Sequence, residues 1–207
     1  MRFSPQHRTL AGLALSLATL VTPFAAPALK GDPNKAIPLV TERCAGCHGQ
    51  DGNSPVANFP RLAGMHPQYL LKELQNYKSE QRSGDIMRAM AAPLTESEMI
   101  NLALYFSGQK PVAATANRPE LLALGKKIFI DGNDASGVPS CSGCHEEDGT
   151  GSARFPRVAG QNPAYVLEEL ERYTSIPNHR SKVMRTVAQR LSKQEAQAVA
   201  EYMASLQ

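Results

Sequence analysis

Two short runs carry most of the chemistry in this chain, Cys44-Ala45-Gly46-Cys47-His48 and Cys141-Ser142-Gly143-Cys144-His145. On a helical turn, cysteines at i and i+3 share a face and a histidine at i+4 joins them. Two thiols so placed can add to the two vinyl groups of a haem while the adjacent imidazole reaches the iron. C-x-x-C-H therefore reads as covalent c-type haem attachment. Other uses fit less well. The C-x-x-C pairs of a four-cysteine zinc site are usually about 15–20 residues apart, whereas these lie 97 apart. A thioredoxin-like redox pair needs a βαβ context, and no strand pattern of useful length is present. Two haem c groups consume all 4 cysteines and leave none for a disulfide.

Each iron then needs a sixth ligand. Of the 7 methionines, only Met87 and Met184 coincide when the two halves are superimposed. Met65 faces Gln161, Met90 faces Val187, Met99 faces Ala196 and Met203 faces Phe106. A cofactor present twice should keep its ligands twice, so the expected metal ligands are His48 with Met87 and His145 with Met184. Each Met lies 39 residues after its His and eight before a helix cap, on what reads as a loop pinned at its C-terminal end. Met90 and Met99 read as core filler. Histidine–methionine ligation fills both axial positions, so no catalytic residue and no enzyme activity are expected. In the second half His179 is a competing ligand, but its counterpart is Arg82, which cannot ligate. His66, opposite Asn162, reads as a surface-loop residue. Arg61, Arg157 and the tyrosine pairs Tyr69/Tyr165 and Tyr77/Tyr173 could meet haem propionates or could anchor loops.

The elements that must position these groups are also duplicated. Asp51-Gly52 recurs as Asp148-Gly149, and Phe59-Pro60-Arg61-Leu62-Ala63-Gly64 as Phe155-Pro156-Arg157-Val158-Ala159-Gly160. A repeat this long is a domain duplication, not a solenoid. Pro67 and Pro163 each open a run of helical periodicity. Thr95-x-x-Glu98 and Ser192-x-x-Glu195 are capping boxes, followed by apolar residues at i, i+3, i+4 and i+7. A helix over residues 119–130 starts the second copy. Its counterpart, residues 32–43, contains Pro38, so the first helix should be kinked or late-starting. The expected fold is all-α. It has a first domain over residues 29–106, a linker over 107–118, rich in Ala, Pro and polar residues, and a second domain over 119–207.

Residues 1–28 have the three parts of an export signal. These are Arg2 and Arg8, an apolar run from Leu10 to Val21, and Ala26-Pro27-Ala28 with cleavage expected after Ala28. The run is stopped by Pro23, short of the ~20 residues of a membrane span. The mature chain is therefore expected in the periplasm. Over 207 residues, 42% hydrophobic composition is enough for packed cores and excludes wholesale disorder. Lys and Arg number 22 against 19 Asp and Glu; without the leader the ratio is 20 to 19. That balance excludes a nucleic-acid footprint, which needs a strongly basic patch.

Taken together, the doubled C-x-x-C-H, the D-G that follows, the F-P-R-x-A-G loops, the tyrosine-bearing helix and the Met before the last helix resemble the dihaem cytochrome c4 family. The resemblance covers nearly the whole mature chain. It implies two tandem class I cytochrome c domains, two covalently bound haem c groups, and carbonyls of Pro60 and Pro156 that accept the His48 and His145 N–H. It further implies a periplasmic electron carrier between a quinol-oxidising bc-type complex and terminal oxidases. The partners would be redox proteins, with room for peripheral membrane association. A dihaem subunit of a dehydrogenase, docked for example on a flavoprotein, would read almost the same. A dihaem peroxidase needs an open or displaceable sixth site, against which the Met87/Met184 match argues.

Overall fold

The computed structural model describes Met1, residues 28–177 and residues 181–207. The body of the expected leader, residues 2–27, and His179 lie outside the described residues. Among the described residues the secondary structure is helical, and the single extended pairing is an isolated bridge between Asn133 and Val138.

The first half opens with one helical run over residues 33–48. It begins as a 3-10 turn, Pro33–Ala36, becomes α-helical at Ile37–Leu39, widens to a π turn at Val40–Cys44 and returns to α at Ala45–His48. Pro38 does not delay this helix. The carbonyl of Asn34, which a residue at position 38 would normally engage, already accepts the Ile37 N–H, so the missing proline donor leaves nothing unsatisfied. The distortion falls after the proline, in the π turn that leads into the Cys-x-x-Cys-His segment. The helices Pro67–Lys78, Asp85–Ala91 and Glu96–Ser107 follow.

The second half repeats the plan. A 3-10 turn at Pro119–Leu121 leads into Leu122–Asp131, followed by Ser142–His145, Pro163–Ser175, Lys182–Arg190 and Lys193–Ser205. One difference stands out. The helix stops at Gly132 (φ 78°), where a Cβ would fall 2.4 Å from the Val138 carbonyl. The chain then makes the short Asn133–Val138 excursion before reaching Cys141.

Both capping boxes form as expected, with Thr95 and Ser192 accepting from the Glu98 and Glu195 N–H groups. Pro67 and Pro163 sit in the first turn of their helices, where a missing N–H is harmless. In each half the last helix packs across the first and ties down its start. Asn101 Oδ1 accepts the Asp32 N–H at 2.8 Å, and Glu201 Oε2 accepts the Asn117 N–H at 2.6 Å. At the second crossing the backbones meet at Gly125, where a Cβ would lie 2.0 Å from the Ala198 carbonyl. Each half has its own apolar core. One gathers Val40, Met65, Leu70, Leu94, Met99, Leu102 and Phe106; the other gathers Ile128, Phe129, Val166, Val199 and Met203.

The connecting segment is held along its length. Asn53 accepts the Val112 N–H at 2.9 Å and donates to the Lys110 carbonyl at 3.0 Å, and Arg61 donates to the Val112 carbonyl at 2.7 Å. The two halves also meet directly. Arg82, buried, donates to Glu73 of its own half at 2.6 Å, and to Glu169 and Tyr165 of the other half at 3.1 and 3.0 Å. Its guanidinium lies 4.5 Å from the Tyr77 ring centroid.

Candidate functional site

The Cys-x-x-Cys-His segments each form a single helical turn, Ala45–His48 and Ser142–His145, with the first cysteine at the N-cap. The turn ends when the next residue takes positive φ, Gly49 at 78° and Glu146 at 68°. The chain then reverses through Asp51-Gly52 and Asp148-Gly149. In each copy the aspartate closes the turn, accepting the Asn53 N–H at 3.0 Å and the Thr150 N–H at 3.0 Å. The glycine carbonyl then collects two N–H groups from the returning loop, Leu62 and Ala63 on Gly52, and Val158 and Ala159 on Gly149. A Cβ at Gly52 would meet Ala63 N and Phe106 at 2.8 Å, so the D-G signature is a close-approach requirement. Gly64 and Gly160 finish the loop by donating to the Phe106 and Met203 carbonyls of the last helix at 3.0 and 2.8 Å.

That loop delivers a carbonyl to each histidine. His48 Nδ1 lies 3.0 Å from the Pro60 carbonyl, and His145 Nδ1 lies 2.9 Å from that of Pro156. A carbonyl can only accept, so Nδ1 carries the proton and donates. Both imidazoles are buried. Burial pushes their pKa values below the ordinary histidine range, opposed by the carbonyl bond. A neutral ring protonated at Nδ1 keeps the Nε2 lone pair for a metal. Phe59 and Phe155 wedge each ring from the side, with centroids 6.2 Å away in both copies.

None of the four cysteines is in a disulfide. Burial raises the Cys44 pKa, and pushes Cys141 up to about 11. Among the described residues no three His, Cys, Asp or Glu side chains gather as a ligand set for a bare ion. Each centre therefore offers one imidazole and two thiols, a donor set that suits a large group bringing its own equatorial ligands. Arg157, next to Pro156, fits such a group as well: it is buried, and its Nε has no partner, a donor that a propionate would satisfy.

The methionines sort by burial. Met65, Met99 and Met203 are core residues. Met87 and Met184 are half-buried. Met90 is 38% exposed, so it is not core filler. Neither Met87 nor Met184 stands on a loop; they sit in the first turns of Asp85–Ala91 and Lys182–Arg190. Neither stretch carries an interior Gly or Pro, and Ser181 caps the second by accepting the Met184 N–H at 3.2 Å. Arg61 anchors loops, its Nε and Nη1 being spent on Asn162 and Val112. His66 is the N-cap residue of Pro67–Lys78, and its Nδ1 is buried without a partner. The residues missed at the sequence level are Gln161 and Asn162. They are buried polar side chains that reach from the second half into the first. Their repeat positions carry Met65 and His66, so the duplication gave no signal for them.

Among the described residues no helix is long and apolar enough to cross a membrane. The family model for cytochrome c matches residues 37–109 and again 122–207. Cytochrome c4 of Thiocapsa roseopersicina is 39% identical over 85% of this chain and 93% of its own length. A thiosulfate dehydrogenase electron acceptor of Thiomonas intermedia is 34% identical over 99% of this chain and 93% of its own. The crystal structure of reduced cytochrome c4 from Pseudomonas stutzeri superimposes with a TM-score of 0.79 at 36% identity, covering 86% of this chain and all of that one.

Proposed function

The chain belongs to the dihaem cytochrome c4 family of cytochromes c, and on that premise we propose that it is a periplasmic carrier of electrons from a quinol-oxidising bc-type complex to terminal oxidases. It is an electron-transfer protein with two covalently bound haem c groups. The observation that carries the electron-transfer reading is the doubled His–carbonyl geometry. Two centres with the same donor set and the same proton position fit two like cofactors.

Bound haem c supplies a reversible one-electron couple at each centre. The chain's own residues do the rest. Cys44 and Cys47, and Cys141 and Cys144, supply the thioether sulfurs. His48 and His145 present Nε2 while Pro60 and Pro156 hold the Nδ1 proton. That bond fixes the ring and raises its basicity. Met87 and Met184 would supply the remaining protein ligands to the two irons. The domains run over residues 29–106 and 119–207, joined by the segment 107–118, and the chain is exported with cleavage after Ala28.

A second reading draws on the Thiomonas intermedia relative: the chain would accept electrons from a dehydrogenase of an inorganic sulfur compound. One experiment separates the two. The purified holoprotein, with its haem count established, is mixed in the ferric form either with a bc-type complex and quinol or with a thiosulfate dehydrogenase and thiosulfate. Rapid reduction in the first mixture and not the second supports the carrier reading; the reverse supports the dehydrogenase reading.

A further inference from the structure

The loop that holds the first histidine is clamped by the second domain, and among the described residues there is no reverse clamp. Gln161 and Asn162 are 4% and 6% exposed. Gln161 pairs with the backbone of Arg61 in both directions. Its Oε1 accepts the Arg61 N–H at 2.8 Å, and its Nε2 donates to the Arg61 carbonyl at 3.0 Å. Asn162 Nδ2 donates to the Phe59 carbonyl at 2.9 Å and the Val56 carbonyl at 3.1 Å, while its Oδ1 accepts from Arg61 Nε at 3.0 Å. Both residues flanking Pro60 are therefore fixed from across the interface, and Pro60 is the acceptor for His48.

The equivalent carbonyl in the second domain is satisfied at home. Phe155 accepts the Ser152 N–H of its own loop at 2.7 Å. Met65 and His66 occupy the positions of Gln161 and Asn162 in the first copy. Met65 has no donor and lies in its own core, and the buried Nδ1 of His66 has no partner. Among the described residues, no side-chain hydrogen bond runs from either of them to residues 155–157.

We infer that Gln161 and Asn162 are positioning residues for the first iron, acting through Pro60 on His48, so that the second domain sets the potential of the first haem while the first domain has no such hold on the second. The direction follows from the ligand chemistry. A well-aligned Pro60 carbonyl increases the basicity of the His48 imidazole and favours the ferric state. Loosening residues 59–61 weakens that bond and raises the potential of the first haem.

The inference rests on His48 ligating the first iron, and that premise is checked separately in the unaltered holoprotein, where the His48 ring protons must show the paramagnetic shifts of an iron ligand. The test proper uses Gln161→Met, which places the first copy's residue at the second copy's position and keeps the side-chain length. Two readouts are followed in the dihaem protein: the stepwise potentiometric titration, and solvent exchange of the two Nδ1–H protons, assigned through their neighbours Phe59 and Phe155. Expected are an upward shift of one step with the other unchanged, and faster exchange at His48 with His145 unaffected. Should Gln161→Met fail to retain two haems, Asn162→Leu carries the same test. Potentials and exchange that match the unaltered protein, or that move equally at both centres, overturn the inference.

Discussion

Glu73 and Glu169 occupy the same position in the two copies, and both close on one guanidinium, that of Arg82, at 2.6 and 3.1 Å. The repeat thus brings two carboxylates together at the domain interface, where Arg82 bridges them and Arg172 Nε also lies 3.8 Å from Glu169. Burial opposes the charge on Arg82, and Tyr165, Tyr77, Glu169 and Glu73 more than offset that, so its pKa stands above the ordinary arginine value. Removing one partner of a buried ion set typically costs about 3–5 kcal/mol, because charge is left without compensation. Arg82→Leu is expected to weaken the docking of the halves by that order. Differential scanning calorimetry of the holoprotein should show one cooperative transition separating into two. A single unchanged transition would mean that the triad contributes nothing to docking.

Gly49 and Glu146 end the two Cys-x-x-Cys-His turns in nearly the same conformation, φ 78°, ψ 153° and φ 68°, ψ 156°. That region is open to glycine and costs another residue about 1–3 kcal/mol. Against this stands the extra unfolded-chain entropy of a glycine, about 0.4–1 kcal/mol. Glu146→Gly is therefore expected to stabilise the second domain by about 1 kcal/mol, and Gly49→Ala to destabilise the first by a similar amount. Denaturant unfolding of both variants checks the pair of opposite signs.

Much of the fold follows from residues visible in the chain. The capping boxes at Thr95 and Ser192, the prolines at helix starts, and the D-G and F-P-R-x-A-G runs act locally, within a turn or against the neighbouring helix. Their effect is readable from types and spacing. Three features were not readable in that way. The helices around Met87 and Met184 are short and amphipathic, and the polar residues before them resemble a loop. The excursion at Asn133–Val138 depends on a backbone contact of Gly132. The interface depends on Arg82 and on Arg61, Gln161 and Asn162, the last three of which differ in role from their repeat partners. A duplication reveals what the copies share, and an asymmetric interface is built from what they do not.

The capping-box glutamates make stability depend on acid. Hydrogen bonds from Asn133 and then Ser192 hold the Glu195 carboxyl below its ordinary range, and bonds from Thr95 do the same for Glu98. A carboxyl depressed in the folded state adds stability above its unfolded pKa of about 4.3. That stability is lost as pH falls through the folded value. Glu195→Gln keeps the side-chain shape but does not titrate. Its thermal midpoint should fall less steeply than that of the unaltered protein between about pH 6 and pH 3. Parallel curves would assign the acid sensitivity to other groups.

The axial methionines give the most direct test of the proposed site. Met87 and Met184 stand 39 residues after His48 and His145, each in the first turn of a short helix, half-buried. Met65, Met99 and Met203 are committed to the cores, which leaves Met90 as the competitor in the first domain. Met90 lies one turn further along the same helix and is 38% exposed, and its repeat partner Val187 has no ligating atom. Met87→Ala and Met184→Ala should each remove about half of the ferric methionine–iron charge-transfer band and lower one of the two potentials, since thioether ligation raises the potential of a haem iron. Met90→Leu should leave both unchanged. A Met90→Leu protein that loses half the band while Met87→Ala keeps it would move the first ligand to Met90. In the second domain His179→Ala plays the same part: altered ligation of that haem would remove Met184 from the assignment.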